Sequence, residues 1–63
     1  MMYKCYNIMS HDGTMLNVEH NIILPDCDMT EPTERAEHIG VLLDTIENMS
    51  GVIVESFEYV SMT

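Results

Sequence analysis

The sequence predicts a small α+β domain in which one helix packs on one face of a three-stranded, mainly antiparallel sheet. Three observations predict it: a hairpin signal at Asp12-Gly13, apolar residues at helical spacing before Gly51, and a final β-branched and aromatic segment. The chain of 63 residues has room for one domain, spanning 1–63. The predicted order of elements is ββαβ, with the first strand in the middle of the sheet (strand order 2-1-3).

The first two strands are predicted from the turn signal and from alternation. Asp-Gly favours a two-residue type I′ turn, because both of its central positions need a positive φ. The resulting register pairs Met9 with Leu16, Cys5 with His20 and Tyr3 with Ile22. The positions expected to face the helix are mostly apolar: Tyr3, Cys5, Met9, Leu16, Val18, Ile22 and Leu24.

A helix is predicted to begin at Thr30 or Glu31, with Thr30 as its cap and Pro32 in its first turn, where a missing N–H costs nothing. Its apolar residues repeat at intervals of three and four: Ala36, Ile39, Leu43 and Ile46, flanked by Leu42 and Met49. Gly51 is expected to end the helix. The remaining segment, VIVESFEYV, is predicted to be the third strand.

The sheet face turned away from the helix is predicted to carry apolar side chains that nothing covers. The residues assigned to this face are Tyr6, Ile8, Met15, Ile23, Phe57 and Tyr59. An exposed apolar patch of several hundred Å² usually marks an interface. A homodimer formed through this face is therefore one expectation.

Charge is the most unusual property of the chain. Eleven acidic residues against two basic ones give a formal net charge of −9. Such a charge disfavours free DNA, free RNA and anionic membranes as ligands, and a hydrophobic fraction of 46% argues against a disordered acidic tail. With no apolar segment typical of a signal peptide or a membrane span, we expect a cytoplasmic protein, in the host cytoplasm if the source is viral.

The stretch DCDMTEPTERAE, residues 26–37, concentrates five of the carboxylates. If it were an EF-hand loop, Asp26, Asp28 and Glu37 would supply oxygen ligands, but Glu31 stands where the sharp turn needs glycine. A weak calcium-binding loop is therefore the least favoured of three interpretations. The second is helix chemistry, because acids in a first turn stabilise the positive end of the helix dipole.

The third interpretation is a surface for a cationic partner. Helix chemistry accounts for Glu31 and Glu34 but not for the acids further along, where Arg35 is the only cation available for pairing within the helix. A merely solvated acidic face is the alternative to a binding surface. The residues predicted for partner binding are Asp26, Asp28, Glu31, Glu34, Glu37, Val41, Asp44 and Glu47, with Val41 as the central apolar contact.

No motif for catalysis or for a metal is apparent. Cys5 and Cys27 are too few for a disulfide framework and match no zinc or redox spacing. His20 is predicted to lie opposite Cys5, but two ligands do not make a zinc site. No nucleophile is paired with a base, and a sheet this small leaves little volume for a cleft. We therefore expect no enzymatic activity, no cofactor and no metal.

The order of elements and the short acidic chain resemble small phage proteins that disable host machinery, and are similar in type to anti-CRISPR and anti-restriction proteins. A hairpin before an acidic helix is also similar to HicB-type antitoxins, although those domains carry a further strand. The resemblance lies in shape and charge, so it assigns no site residues. It implies a stoichiometric inhibitor that binds a basic surface of a nucleic-acid-handling host protein, with mimicry of a nucleic acid as one form of that inhibition. The alternative is a homo-oligomeric structural or adaptor module, antitoxin-like modules included, that uses the outer sheet face.

Overall fold

The structure, a computed structural model, describes residues 1–62. It confirms the predicted class, since one helix packs against an antiparallel sheet with the first strand at its centre. The elements are β1 (Met2–Ser10), β2 (Met15–Leu16), β3 (His20–Ile23), α1 (Pro32–Ser50) and β4 (Val54–Ser61). β2 and β3 pair with one edge of β1, and β4 pairs with the other. The predicted second strand is thus two short strands. Within residues 1–62, no helix has the length and apolar character that crossing a membrane requires.

The hairpin turn differs from the prediction by one residue. Ser10 N–H donates to Thr14 O at 2.8 Å and Gly13 N–H donates to Ser10 O at 3.0 Å, so the loop has three residues. Gly13 has a φ of 89°, and among the described non-glycine residues only Asn7 has a positive φ, so Asp12 does not adopt the type I′ conformation. A three-residue loop that ends in a glycine at positive φ is the next most common hairpin connection.

The longer loop shifts the register near the turn, where Met9 pairs with Met15 and not with Leu16. Further from the turn the predicted pairs Tyr3–Ile22 and Cys5–His20 are both present. The two registers are reconciled where the paired edge is interrupted between β2 and β3, at residues 17–19. Val18 lies in this interruption and is exposed, contrary to the prediction that it faces the helix.

Asn7 reverses which side chains of β1 face the helix. Its φ of 48° coincides with a register shift in the β1–β4 pairing between Tyr6 and Met9. Tyr3 and Cys5 are buried before this irregularity and Ile8 after it, while Met9 is only partly buried. The prediction that placed Ile8 on the outer face was therefore wrong, because strict alternation does not continue through a bulge.

The core lies between the sheet and the helix. Its buried apolar side chains are Tyr3, Cys5, Ile8, Ile22, Leu42, Ile46 and Val54, with Leu16, Leu24, Leu43, Phe57 and Tyr59 packed against them. The prediction for Phe57 and Tyr59 is corrected here, because both side chains pack on the covered face. The ring of Tyr59 meets that of Tyr3 edge-on, with centroids 5.9 Å apart.

The helix ends are near their predicted places, but its buried face is not. Gly51 ends the helix with a φ of 75°, as expected, whereas the N-cap is Glu31 and not Thr30. The buried residues are His38, Leu42 and Ile46, while Ala36 and Met49 are exposed. Relative to the predicted apolar face, the buried face is turned by roughly 80° on a helical wheel.

Candidate binding surface on the acidic helix

Two of the predicted partner-binding carboxylates stabilise the start of the helix. Glu31 accepts from the backbone N–H of Glu34 at 2.8 Å and from that of Thr33 at 3.2 Å. These bonds hold the pKa of Glu31 below its ordinary value. Asp28 accepts from the Thr30 hydroxyl and from the Thr30 backbone N–H, and its pKa is lowered for that reason. Both groups already have structural partners.

Two further carboxylates hold neighbouring segments together. Glu47 accepts from the backbone N–H of Val54 at 2.9 Å, which ties the first residue of β4 to the last turns of the helix. Asp26 lies 3.1 Å from the N-terminal ammonium of Met1, which also donates to the carbonyl of Leu24. Asp26 remains largely exposed, so its carboxylate can accept a second donor.

The other three predicted carboxylates are those of Glu34, Glu37 and Asp44, of which Glu34 lies in the first turn, where its charge favours the helix dipole. Within residues 1–62 none of these side chains accepts a hydrogen bond or forms an ion pair, and Arg35 pairs with no carboxylate. All three are exposed, and Val41, on the same side of the helix, is 47% exposed. We call Glu34, Glu37, Val41 and Asp44 the acidic stripe. Its members fall within roughly 80° of one another on a helical wheel.

Because the buried face of the helix differs from the predicted one, part of the acidic stripe borders a groove of about 260 Å³. One wall is the loop after β3, residues 24–27, and the other is the helix at Glu34, Glu37, His38 and Val41. We call this the acidic groove. Three of its side chains are carboxylates, those of Asp26, Glu34 and Glu37, while Leu24, Pro25 and Val41 give it an apolar surface.

Two further side chains in the groove were not among the predicted site residues. His38 is 8% exposed, lies against the Tyr3 ring at a centroid distance of 5.2 Å, and has a buried Nε2 without a hydrogen-bond partner within residues 1–62. The Cys27 thiol is free, and its pKa is raised by burial and by the nearby charges of Glu34, Asp28 and Asp26. In the sequence, the signal that could have indicated this site is His38, a histidine within the apolar repeat of the helix.

The uncovered sheet face keeps only part of its predicted set. Ile8, Phe57 and Tyr59 belong to the helix-covered side, which leaves Tyr6, Met15 and Ile23. Ile23 is 73% exposed and Met15 52%. Lys4 crosses this face to reach Glu19, with Nζ 2.9 Å from the carboxylate. The face is therefore a mixture of apolar and paired charged side chains.

The helix start also bears on the calcium interpretation of residues 26–37. Pro32 begins the helix, so Glu34 and Glu37 are helical residues and not part of a cation-binding loop. Within the described part of the chain, no three histidine, cysteine, aspartate or glutamate side chains are grouped so that they could hold a metal ion. In comparisons with known proteins, no protein-family model, no curated protein and no solved structure matches this chain.

Proposed function

We propose that this chain is a non-enzymatic binding protein whose acidic stripe docks on a basic surface of a nucleic-acid-handling protein and so inhibits it stoichiometrically. The observation that carries the proposal is that the predicted partner-binding acids fall into two groups, which differ in their hydrogen-bond partners. Asp28, Glu31 and Glu47 stabilise the fold, whereas Glu34, Glu37 and Asp44 form no hydrogen bond or ion pair within residues 1–62 and share one exposed side of the helix.

Unpaired like charges on one helix side destabilise the folded chain. Glu34 and Glu37 are three positions apart, so their carboxylates lie about 5–6 Å from each other and repel, which costs a few tenths of a kcal/mol. A basic partner removes this repulsion and gains association rate from the field of a chain with net charge −9. The spacing is also comparable with that of phosphates along a nucleic-acid strand, so mimicry of a nucleic acid is the form of inhibition that we favour.

Affinity capture from a lysate of the native host tests the proposal. The tagged chain is used at about 100 and about 500 mM salt, beside a variant with Glu34→Lys, Glu37→Lys and Asp44→Lys. We expect a basic nucleic-acid-binding protein to be captured at low salt, to be lost at high salt, and to be absent with the variant while its circular dichroism is unchanged. Equal capture by the variant would refute the proposal.

Self-association through the uncovered sheet face is a second candidate function, supported by the exposed apolar side chains of Met15, Ile23 and Val60 on that side. Ile23→Thr leaves the core untouched, because Ile23 is 73% exposed. Light scattering after size exclusion, at about 10–100 μM chain, measures the oligomeric state. A dimer that Ile23→Thr converts to a monomer supports this candidate, and a monomer at every concentration counts against it.

A further inference from the structure

One edge of β4 is open. The strand is 8 residues long, and within residues 1–62 it pairs with β1 and with no other strand. The opposite edge of the sheet is made of two shorter strands, β2 and β3, and is interrupted at residues 17–19. An open edge presents a row of backbone N–H and C=O groups with which a strand of another chain can pair. The β4 edge is the longer continuous place for such a strand.

The backbone groups that point outward from this edge are those of Phe57 and Tyr59. The Met62 N–H donates to a β1 carbonyl at 2.9 Å, and in antiparallel pairing the direction of the backbone groups alternates from residue to residue. The groups of Glu58 therefore turn toward β1, and those of its two neighbours turn away. The irregularity at Asn7 adds a residue to β1 and not to β4, so this alternation continues to Phe57.

The side chains that usually block an open edge do not block this one. Residues 54–61 include no proline and no lysine. The two carboxylates of β4 have partners on the β1 side of the strand. Glu58 accepts from the side-chain amide of Asn7, and the Glu55 carboxylate lies 3.2 Å from His11 Nδ1. A strand can therefore approach β4 in the plane of the sheet.

The side chains along the edge define the kind of strand that fits. Phe57 and Tyr59 are half-buried and pack against the core on the helix side of the sheet. Apolar side chains placed beside these rings would extend the core at its open end. On the other side, the field of a chain with net charge −9 favours lysine and arginine. A second copy of this chain would instead add another net charge of −9 at the same edge.

We infer that the β4 edge pairs with an extended segment of the basic partner, in which apolar side chains beside Phe57 and Tyr59 alternate with lysine or arginine. The inference rests on the proposed function for the basic character of the partner and adds a second point of contact. The two contacts are separate, because the acidic groove lies beside the loop after β3, and β3 and β4 pair with opposite edges of β1.

Nuclear magnetic resonance with a defined peptide tests the inference. The probe is the blocked peptide Lys-Val-Lys-Val-Lys-Val-Lys, and binding should saturate and slow hydrogen exchange at the Phe57 and Tyr59 amides. Two control peptides carry backbone N-methyl groups either on the valines or on the lysines, which leaves the charge the same. The valine nitrogens face β4 in the inferred pairing, so their methylation should weaken binding at least about tenfold. Methylation of the lysine nitrogens, which face solvent, should weaken it less than about threefold.

Two valine variants locate the contact on the chain. Val60→Lys places a like charge beside the edge and should weaken binding of the probe peptide at least about fivefold. Val18→Lys is the matched control, because both valines are 47% exposed and Val18 lies at the opposite edge of the sheet. Binding of this control should equal that of the wild type.

Three results would overturn the inference: equal binding of the two N-methylated peptides, equal loss in the two valine variants, or slow Tyr59 exchange in the free chain that strengthens with its concentration. The last result would assign the edge to a second copy. None of these results bears on the lysate capture through the acidic stripe, so the proposed function would stand or fall by its own test.

Discussion

At the scale of single residues, the fold depends on a few polar side chains that stabilise an unusual local backbone conformation. Asn7 adopts a φ of 48° in the central strand, and its side-chain amide donates to the Glu58 carboxylate on β4. Asparagine tolerates the left-handed region better than other non-glycine residues do. The residue that interrupts alternation in β1 is thus one whose chemistry permits the interruption.

Replacing Asn7 tests this explanation. Asn7→Val should lower the free energy of unfolding by about 1–2 kcal/mol, because a β-branched residue is strained at positive φ. Asn7→Gly should change it by less than about 0.5 kcal/mol, since glycine relieves the backbone strain while the bond to Glu58 is lost. Urea denaturation measures both, and Asn21→Val, at an exposed position of β3, is the control. Equal losses for the two Asn7 variants would contradict the backbone explanation.

Asp12 gives the hairpin a dependence on pH. Hydrogen bonds from the Ser10 hydroxyl and the Thr14 backbone N–H lower its pKa from 3.8 to about 2. Because the pKa in the folded state is below that in the unfolded state, ionised Asp12 stabilises the fold above about pH 4. This contribution is lost as the pH falls toward 2. The stability difference between the wild type and Asp12→Asn should therefore shrink from pH 5 to about pH 2, as measured by urea denaturation. A constant difference would contradict the assignment.

At the scale of elements, the ends of the helix and strands were easier to predict than the faces that they bury. Gly51, Pro32 and the Asp12-Gly13 turn marked where elements begin and end, because each acts through local backbone chemistry. The buried face of the helix was not predictable in the same way. His38 is one of its three buried residues, and a polar residue is not counted in an apolar repeat. The inward side of Ile8 depends on pairing between β1 and β4, which is a long-range property.

The set of partner-binding residues was also only partly predictable from the sequence. The sequence predicts eight residues in one binding set, of which Glu34, Glu37, Val41 and Asp44 have exposed side chains that make no hydrogen bond within residues 1–62. Asp28, Glu31 and Glu47 have structural partners instead. Those of Asp28 and Glu31 lie within three residues along the chain, whereas the partner of Glu47, the Val54 N–H, is brought to it by the fold. The groove itself required the helix orientation and the loop after β3 together.

Capping by Glu31 gives a prediction for the helix. Glu31→Ala should lower the free energy of unfolding by about 0.5–2 kcal/mol, because two N–H groups of the first turn lose their acceptor. Asp44→Ala removes the same charge from an exposed position within the helix and should not destabilise it, since alanine is the best helix former. Thermal and urea denaturation compare the two variants. A loss for Asp44→Ala as large as that for Glu31→Ala would contradict the cap assignment.

At the scale of the whole molecule, charge acts against the fold and in favour of binding. The chain of 63 residues has eleven acids and two basic residues, so repulsion among the acids dominates, and the described ion pairs involve few of them. Salt screens this repulsion. We therefore expect Tm to rise from about 20 to about 300 mM NaCl, as followed by circular dichroism at pH 7. A Tm that falls with added salt would mean that favourable pairs outweigh repulsion.

The most direct measurement of the central claim separates the position of the negative charge from its amount. Two variants each lose three charges: one carries Glu34→Gln, Glu37→Gln and Asp44→Asn, and the other Glu19→Gln, Glu55→Gln and Glu58→Gln. Host proteins captured by each from the same lysate are quantified against the wild type. We predict that the first variant loses the basic partner at least about tenfold and that the second retains it. Equal loss in both variants, or loss in the second alone, would contradict binding through the acidic stripe.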